Sequence, residues 1–397
     1  MTSLPATRTA PRELEIGSLA GACLVGLSIS WNIANVGPVA TLLSHHYGTS
    51  LAVLGLFTTV LFFAEVAVMI PGGRAIDRYG AKRTGLVAIA ISLVANAALM
   101  LVSGSAAALA LRAVAGLGVG LGFLSGAVYA QSGAISVPSG AQARALAGGI
   151  YGGVSLSGGG LALAIVPLLV SPLGWRAPYA SAAAVAAMAI PLVAAAPPTP
   201  GHGGRTRGSR LRTLIADPQL VRLGLISSVS FGFSVILGNW VVTLLERHGR
   251  LSTGAAGVVG SLILLLGIVG RPSGGMLVRA RPGLTRQMLA ASFLAGTLGT
   301  IVLLLAPGTG VDAAAAALIG VAAGIPFGVT ISGATRARPQ AAGAAVGAMN
   351  TYPVLAIVCG APLVGLTFSL PGEGRIGFAV LAAAWSSAIL VLRGLDI

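Results

Sequence analysis

Long apolar segments recur along the whole chain, and short clusters of glycine, proline, serine and charged residues separate them. Most are as long as the roughly 20-residue helix that crosses about 30 Å of hydrocarbon. A bilayer accepts only helices or closed barrels, and these segments are too long and too uniformly apolar for barrel strands. The pattern therefore predicts an all-α integral membrane protein with twelve transmembrane helices. The twelve segments lie near residues 16–43, 51–71, 84–103, 105–131, 142–170, 174–196, 220–245, 253–278, 286–306, 312–335, 341–369 and 375–393.

The composition agrees with a surface that faces lipid. Of the 397 residues, 55% are hydrophobic and 8% are charged, whereas a soluble domain carries about 25% charged residues. Such a chain cannot cover a water-facing surface, which argues against a soluble enzyme, a disordered chain and a disulfide scaffold. Cys23 and Cys359 lie in apolar runs without metal-ligand spacing, so we expect two buried thiols, no metal and no cofactor.

The net charge of +15 could indicate nucleic-acid binding, but the positions of the basic residues indicate membrane topology instead. If the N-terminus is cytoplasmic, most of the 24 Lys and Arg residues fall in cytoplasmic segments. This asymmetry follows the positive-inside rule and predicts both termini in the cytoplasm. We expect a multi-pass monomer of the cell (inner or plasma) membrane, with the lipid bilayer as a partner and no nucleic acid.

A stretch rich in proline, glycine and arginine interrupts the pattern after six segments. It starts around Pro197-Pro198 and ends near Asp217-Pro218. We expect an N-terminal six-helix bundle at residues 1–196, a basic cytoplasmic linker at 197–219 and a C-terminal six-helix bundle at 220–397.

The two halves also resemble each other in sequence. At one constant offset, Thr41-Leu42-Leu43 aligns with Thr243-Leu244-Leu245, and Gly72-Gly73 aligns with Gly274-Gly275. An even number of spans in each half makes such a repeat parallel, with its axis along the membrane normal.

The segment after the second span carries a motif that resembles the signature loop of the major facilitator superfamily, G-x-x-x-D-[RK]-x-G-x-[RK]-[RK]. The segment reads Gly73-Arg74-Ala75-Ile76-Asp77-Arg78-Tyr79-Gly80-Ala81-Lys82-Arg83. The resemblance implies a fold of two six-helix bundles related by a pseudo-two-fold axis, and transport by alternating access. It also implies a gating role for the constrained positions, Gly73, Asp77, Arg78, Gly80, Lys82 and Arg83.

Asp77 is the informative member of this motif, because plain topological charge explains the basic residues but not a carboxylate. It could accept charge-assisted hydrogen bonds from a helix N-terminus or from an arginine of the other bundle. Such a latch would hold the two halves together on the cytoplasmic side.

The second half carries a degraded copy of this segment, Arg271-Pro272-Ser273-Gly274-Gly275. At the repeat offset, Arg279 stands where Asp77 stands, so the carboxylate is lost. Arg-Pro-x-Gly-Gly in this span resembles nitrate/nitrite porters. The arginine that those proteins carry in the second span is Met69 here, which argues against nitrate selectivity.

Three ionisable residues lie within spans, where a charge costs at least about 2.5–3.5 kcal/mol and is a functional candidate. Arg112 resembles the fourth-span arginine of many family members; it could bind an anion or tune a carboxylate, or bond backbone carbonyls. Glu65 is near mid-membrane and could load and release a proton, or pair within its own bundle. Arg271 could bind an anion or extend its side chain toward water.

Uncharged polar residues in the spans are weaker candidates for the solute path, because each could instead join two helices. The candidates are Asn32, Asn35, Tyr129, Gln131, Asn239, Asn350 and Tyr352.

Together these features predict a secondary active transporter rather than an enzyme. Lys82 is the single lysine and no glycine-rich phosphate loop precedes it. We expect a small organic or anionic solute and proton coupling. One alternative is a multidrug efflux antiporter, which should tolerate Arg271→Ala, although the fifth span lacks a Gly-Pro motif. Another is a non-transporting membrane sensor, which should be indifferent to Asp77→Ala.

Overall fold

A computed structural model describes residues 16–132, 140–198, 216–249, 251–337 and 342–394, and all regular structure in these ranges is helical. Eleven apolar stretches are long enough to cross a membrane, and the longest, Ala147–Ala195, contains parts of two helices. The prediction of twelve membrane-spanning helices is therefore confirmed. The first six are α1 (Ile16–Ala34), α2 (Leu51–Tyr79), α3 (Ala81–Leu99), α4 (Ser105–Ser132), α5 (Gly140–Ile165) and α6 (Ala177–Ala195). The second six are α7 (Pro218–His248), α8 (Thr253–Leu265 and Gly267–Ala280), α9 (Thr285–Leu305), α10 (Thr309–Ala337), α11 (Ala342–Thr367) and α12 (Arg375–Ser387).

Several helices depart from a single regular α-helix. After α1 the chain forms a short 3₁₀ turn and the helix Ala40–His46. Within α7, a π-helical turn at Ser228–Gly232 separates two α-helical parts. A 3₁₀ segment, Ala388–Gly394, follows α12.

The segment that carries the family motif is helical rather than a loop, which corrects the sequence prediction. Helix α2 continues to Tyr79, and α3 begins at Ala81. Gly80 alone joins them, with φ of 84°, a backbone conformation that residues with a Cβ rarely adopt. The motif therefore makes a sharp corner between two helices, and its second glycine is the residue that permits the corner.

We call the end of the molecule with Tyr79, Pro198 and Asp217 the linker end, and the opposite end the far end. Asp217 caps α7 by accepting hydrogen bonds from the backbone N–H groups of Gln219 and Leu220. Residues 1–15 and 199–215, which include most of the predicted linker, lie outside the described part of the chain. The predicted boundaries at 196 and 220 therefore stay predictions.

The same helix pairs pack together in both halves. In the first half α2 packs on α4, α3 on α4, α1 on α5 and α3 on α6; in the second half the corresponding pairs are α8–α10, α9–α10, α7–α11 and α9–α12. The two halves meet through α2 against α11 and through α5 against α8, and a two-fold exchange of the halves interchanges these two contacts. The predicted pair of six-helix bundles with a parallel pseudo-two-fold relation is confirmed. We call the surface between them the seam.

Candidate functional site

Arg271 of α8 lies in the seam and reaches the other bundle. Its Nη1 donates a hydrogen bond to the backbone carbonyl of Gly152 in α5, at 2.8 Å. The side chain is 5% exposed, and its contacts are inside the protein rather than in water at the linker end. Gly152 allows this approach because it has no side chain: a Cβ there would lie 3.2 Å from Nη1 of Arg271.

Two phenyl rings of the C-terminal bundle flank the Arg271 guanidinium. Its central carbon lies 4.2 Å from the ring centroid of Phe327 in α10 and 5.6 Å from that of Phe231 in α7. Both distances are within the range of attraction between a cation and an aromatic face. Phe231 belongs to the π-helical turn of α7, so that local irregularity helps to build the site.

Tyr151, next to Gly152, is the counterpart of these rings in the N-terminal bundle. Its hydroxyl donates a hydrogen bond to the carbonyl of Phe123 in α4 at 2.9 Å, and the two ring centroids are 6.3 Å apart. Tyr151 also interacts electrostatically with Arg271 and Glu65. Tyr151 thus has an electrostatic interaction with an ionisable side chain of each bundle.

Glu65 is the middle residue of α2 and is 5% exposed. Helix α4 packs closely on the backbone of α2 at this residue, since a Cβ on Gly120 would lie 2.8 Å from the Glu65 carbonyl oxygen. Its carboxylate oxygen Oε2 is buried without a hydrogen-bond partner. A buried acceptor of this kind is costly unless the group is protonated or gains a partner.

We call Glu65, Phe123, Tyr151, Phe231, Arg271 and Phe327 the seam cluster. Sequence reasoning identified its two ionisable members, Glu65 and Arg271, but missed the aromatic ones. Phenylalanines in an apolar helix give no separate signal. Tyr151 could have been noticed, because it is the one polar side chain in the run Gly148-Gly149-Ile150-Tyr151-Gly152-Gly153.

Asn239 of α7 makes contacts across the seam nearer the far end. Its Nδ2 donates to the carbonyls of Val235, at 2.8 Å, and of Ile33 in α1, at 3.3 Å. Its Oδ1 accepts a hydrogen bond from Thr58 in α2 at 3.3 Å. The structure thus brings Asn239 to the seam, where it joins the two bundles.

Arg112 of α4 lies inside the N-terminal bundle, with no exposed surface. Its donors reach the carbonyl of Asn32 at 2.8 Å, Oδ1 of Asn35 at 3.3 Å and the carbonyl of Phe57 at 3.5 Å. These contacts fit the alternative that the sequence left open, a partner for backbone carbonyls.

Asn32 and Asn35 belong to the same interior network. Asn32 donates to the Ser92 hydroxyl at 2.8 Å and accepts from Asn96 at 2.7 Å, which joins α1 to α3. Asn35 donates to the carbonyl of Pro178 at 2.9 Å, which joins it to α6. Both side chains are fully buried in these contacts.

Two of the remaining polar candidates, Tyr129 and Tyr352, contact residues outside the seam cluster. The Tyr129 hydroxyl donates to the carbonyl of Pro197 at the linker end. Tyr352 packs against Gly224, within the C-terminal bundle. Asn350 is half-buried in α11. The side chain of Gln131 lies outside the described residues.

The motif residues at the linker end have mixed surroundings. Lys82 donates from Nζ to the carbonyls of Ala194 and Ala196, and so ties α3 to the end of α6. Arg83 is exposed, and Arg78 lies over the ring of Tyr79 at 5.2 Å. The surroundings of Gly73 and the Asp77 side chain lie outside the described part of the structure, so the predicted latch stays a prediction.

The seam cluster combines a carboxyl group, a guanidinium and aromatic rings, which are groups that can bind a proton, an anion and an apolar surface. Among the described residues, no group of three or more His, Cys, Asp or Glu side chains is arranged to hold a metal ion.

Comparisons with known proteins agree with this architecture. A family model described as Major Facilitator Superfamily matches residues 22–361. No curated protein matches the chain in sequence.

Solved structures share the fold at low sequence identity. A D-xylose-proton symporter superposes with a TM-score of 0.77 at 14% identity, over 97% of this chain and 98% of its own. A mutant of the nucleoside transporter NupG gives 0.74 at 14% identity, over 96% and 99%. The unmodified NupG structure gives 0.70 at 12% identity, over 97% and 100%.

Proposed function

Because the chain belongs to the major facilitator superfamily, we propose that this secondary transporter moves a small organic or anionic solute by alternating access, coupled to protons. The protein is a multi-pass membrane protein. We further propose that it works as a monomer in the cell membrane, with both termini in the cytoplasm.

The observation that carries this proposal is the seam cluster. Glu65 of one bundle and Arg271 of the other are both buried in the membrane-spanning region, and both interact with Tyr151. Buried ionisable groups in a bilayer are costly and mark transport paths. A site shared by two bundles is the kind of site that relative motion of the bundles can expose to one side at a time.

The seam is tightest at the far end. A Cβ on Gly37 would lie 2.5 Å from the Asn239 carbonyl oxygen, and one on Gly55 would lie 2.6 Å from Cα of Pro362. Both distances are shorter than side chains tolerate, so backbone packs on backbone there. At both contacts, a glycine allows the backbones of the two bundles to approach each other, which supports a closed far end.

The α5–α8 contact loosens toward the linker end. Along α5 from the far end toward the linker end, a Cβ on Gly160 would lie 2.6 Å from Leu265, and a Cβ on Gly153 would lie 3.0 Å from Ile268. At Gly149 the nearest atom of the described residues would lie 3.8 Å from such a Cβ, and at Gly148 no atom of those residues lies within 4 Å. This gradient supports a conformation that is closed at the far end and less closely packed at the linker end.

The motif at the linker end supplies the proposed gate. The corner at Gly80 couples α2, which carries Glu65, to α3, which Lys82 ties to α6. We propose that Asp77 bonds the other bundle when the linker end closes and releases it when that end opens. Asp77→Asn should then favour the conformation open at the linker end.

Proton coupling is assigned to Glu65, whose Oε2 has no partner to stabilise a negative charge. A protonated carboxyl is stable in that position, and water reaching it after the bundles move would allow it to ionise. Binding and release of the proton would then follow the motion of the bundles.

The test is uptake into proteoliposomes with and without an inward proton gradient, using benzoate, D-xylose and a nucleoside as solutes. We expect uptake of at least one solute to be accelerated by the gradient. Glu65→Gln should abolish this acceleration but leave solute exchange without a gradient. Glu373→Gln, which changes an exposed glutamate at the far end, is the matched control. Uptake that ignores the gradient and is unchanged by Glu65→Gln would contradict proton coupling, and no flux of any solute would contradict transport.

A further inference from the structure

We infer that Arg271 binds the carboxylate of a solute that has a flat, apolar body, and that the phenyl rings beside it bind that body. This inference names the chemical class of the solute and therefore rests on the proposed function.

The first step concerns unused hydrogen-bond donors. A guanidinium has five N–H donors. Within the described residues, the protein supplies Arg271 with one acceptor, the Gly152 carbonyl, and with no salt bridge. The residue is 5% exposed, yet its other nitrogen atoms are not among the fully buried side-chain atoms that lack a partner. These donors therefore keep a small accessible surface, through which a bound acceptor can reach them.

The second step concerns the geometry of these donors. The guanidinium is a planar fork that matches the two oxygens of a carboxylate. Its position is fixed by the bond from Nη1 to Gly152 and by the ring of Phe327 at 4.2 Å. Because the guanidinium is already held in place, it loses little conformational freedom when it binds a ligand. Its two parallel N–H donors favour a bidentate anion over a neutral carbonyl compound.

The third step concerns the rings. Phe123, Phe231 and Phe327 are all half-buried, whereas most large apolar side chains of the bundle interiors are fully buried. Their faces are therefore incompletely covered by protein. Aromatic faces pack well against flat apolar groups. A small inorganic anion would use the fork of Arg271 but leave these faces uncovered.

The fourth step links binding to movement. The carboxylate would take the unused donors of the guanidinium, which belongs to α8, while Nη1 bonds the Gly152 carbonyl of α5. Because the carboxylate neutralises the charge that strengthens this bond, it would weaken a hydrogen bond across the seam. Solute binding would thus favour separation or rearrangement of the two bundles.

The experiment measures equilibrium binding to the full-length protein in detergent by isothermal titration calorimetry. The probes are benzoate, benzamide, acetate and nitrate. Benzoate should bind about tenfold or more tightly than benzamide, because the amide lacks the charge that the fork requires. It should also bind more tightly than acetate and nitrate, which lack the flat body.

Variants separate the two parts of the site. Arg271→Gln should remove the preference for benzoate over benzamide, and Phe327→Leu should reduce the preference for benzoate over acetate. Arg286→Gln removes one positive charge from an exposed position of the same bundle and should change neither preference. Arg271→Lys keeps the charge but loses the fork, so it should retain part of the carboxylate preference. Thermal unfolding midpoints show whether each variant is folded.

Several results would overturn the inference. These are no benzoate binding at millimolar concentration, nitrate binding as tight as benzoate binding, or an unchanged benzoate preference in folded Arg271→Gln. Uptake in proteoliposomes separates this inference from the proposed function. Benzoate that binds as expected while no solute crosses would contradict transport alone. Uptake of D-xylose or a nucleoside without any benzoate binding would contradict the inference alone.

Discussion

Arg112 and Arg271 are both buried arginines within membrane-spanning helices, yet their hydrogen-bond partners differ in number and in location. Arg112 donates to three acceptors on α1 and α2 or just beyond α1, all in its own bundle. Arg271 donates to one, the Gly152 carbonyl, which belongs to the other bundle. The two side chains are buried to nearly the same extent, so what distinguishes them is the number of their hydrogen-bond acceptors and the bundle that supplies these acceptors.

The difference follows from what each region must do. Inside a bundle that moves as one body, contacts persist, so hydrogen bonds to a buried charge stabilise the fold continuously. In the proposed transport cycle, contacts in the seam break and re-form. A residue there can keep donors for a solute because few permanent partners occupy them. Under the proposed function, unused hydrogen-bonding capacity, more than burial, distinguishes the arginine that would bind a solute.

The largest expected effect is on stability, from Arg112→Leu. The change removes three hydrogen bonds to buried oxygen atoms, so we expect a loss of about 3 kcal/mol or more. Arg271→Leu should cost about 1 kcal/mol or less, because it removes a desolvated charge together with a single hydrogen bond. Thermal unfolding in detergent measures both. Similar unfolding midpoints for the two variants would abolish the distinction between them.

A smaller effect is expected from a methyl group placed beside Arg271. In Gly152→Ala the new Cβ would lie 3.0 Å from the Phe327 ring and 3.2 Å from Nη1 of Arg271, so both side chains must shift. We expect severalfold slower uptake with an unchanged unfolding midpoint. Gly148→Ala, one turn earlier in α5, adds the same methyl where, within the described part of the chain, no atom lies within 4 Å. Equal uptake by the two variants would argue that the position of Arg271 does not matter for transport.

The smallest effect concerns the balance between conformations. Gly37→Ala places a Cβ against the backbone of Asn239 and should make closure of the far end less favourable. A cysteine at position 58, where Thr58 is 3% exposed beside Asn239, should then react faster with a water-soluble thiol reagent when Cys23 and Cys359 are replaced. Gly104→Ala, at the same end but in open space, is the control. Labelling rates that do not differ would contradict closure of the far end by this contact.

The architecture could be predicted because its signals are long and repeated. The repeated apolar segments predict twelve helices, and the matched glycines of the two halves support two related bundles. The motif around Asp77 indicates the family. Glu65, Arg112 and Arg271 were also found, because a charge inside an apolar segment is conspicuous.

The partners of these charges could not be predicted, because they are mostly backbone atoms and phenyl rings. The carbonyls of Gly152, Asn32 and Phe57 leave no trace in the sequence, so the contrast between Arg112 and Arg271 is invisible there. The helical extension of α2 to Tyr79 was missed for a related reason. Charged residues are common in loops, and the sequence does not reveal that a single glycine makes the turn.

The π-helical turn in α7 has a consequence for how this protein could change over evolutionary time. Each residue of an α-helix advances about 100° around the axis, and π turns accommodate one extra residue. Loss of one amino acid from Ser228–Gly232 would let α7 wind regularly and would rotate Phe231 away from its present direction. A single-codon deletion would thereby change the proposed solute site and its selectivity, while every other side chain of the seam cluster kept its identity.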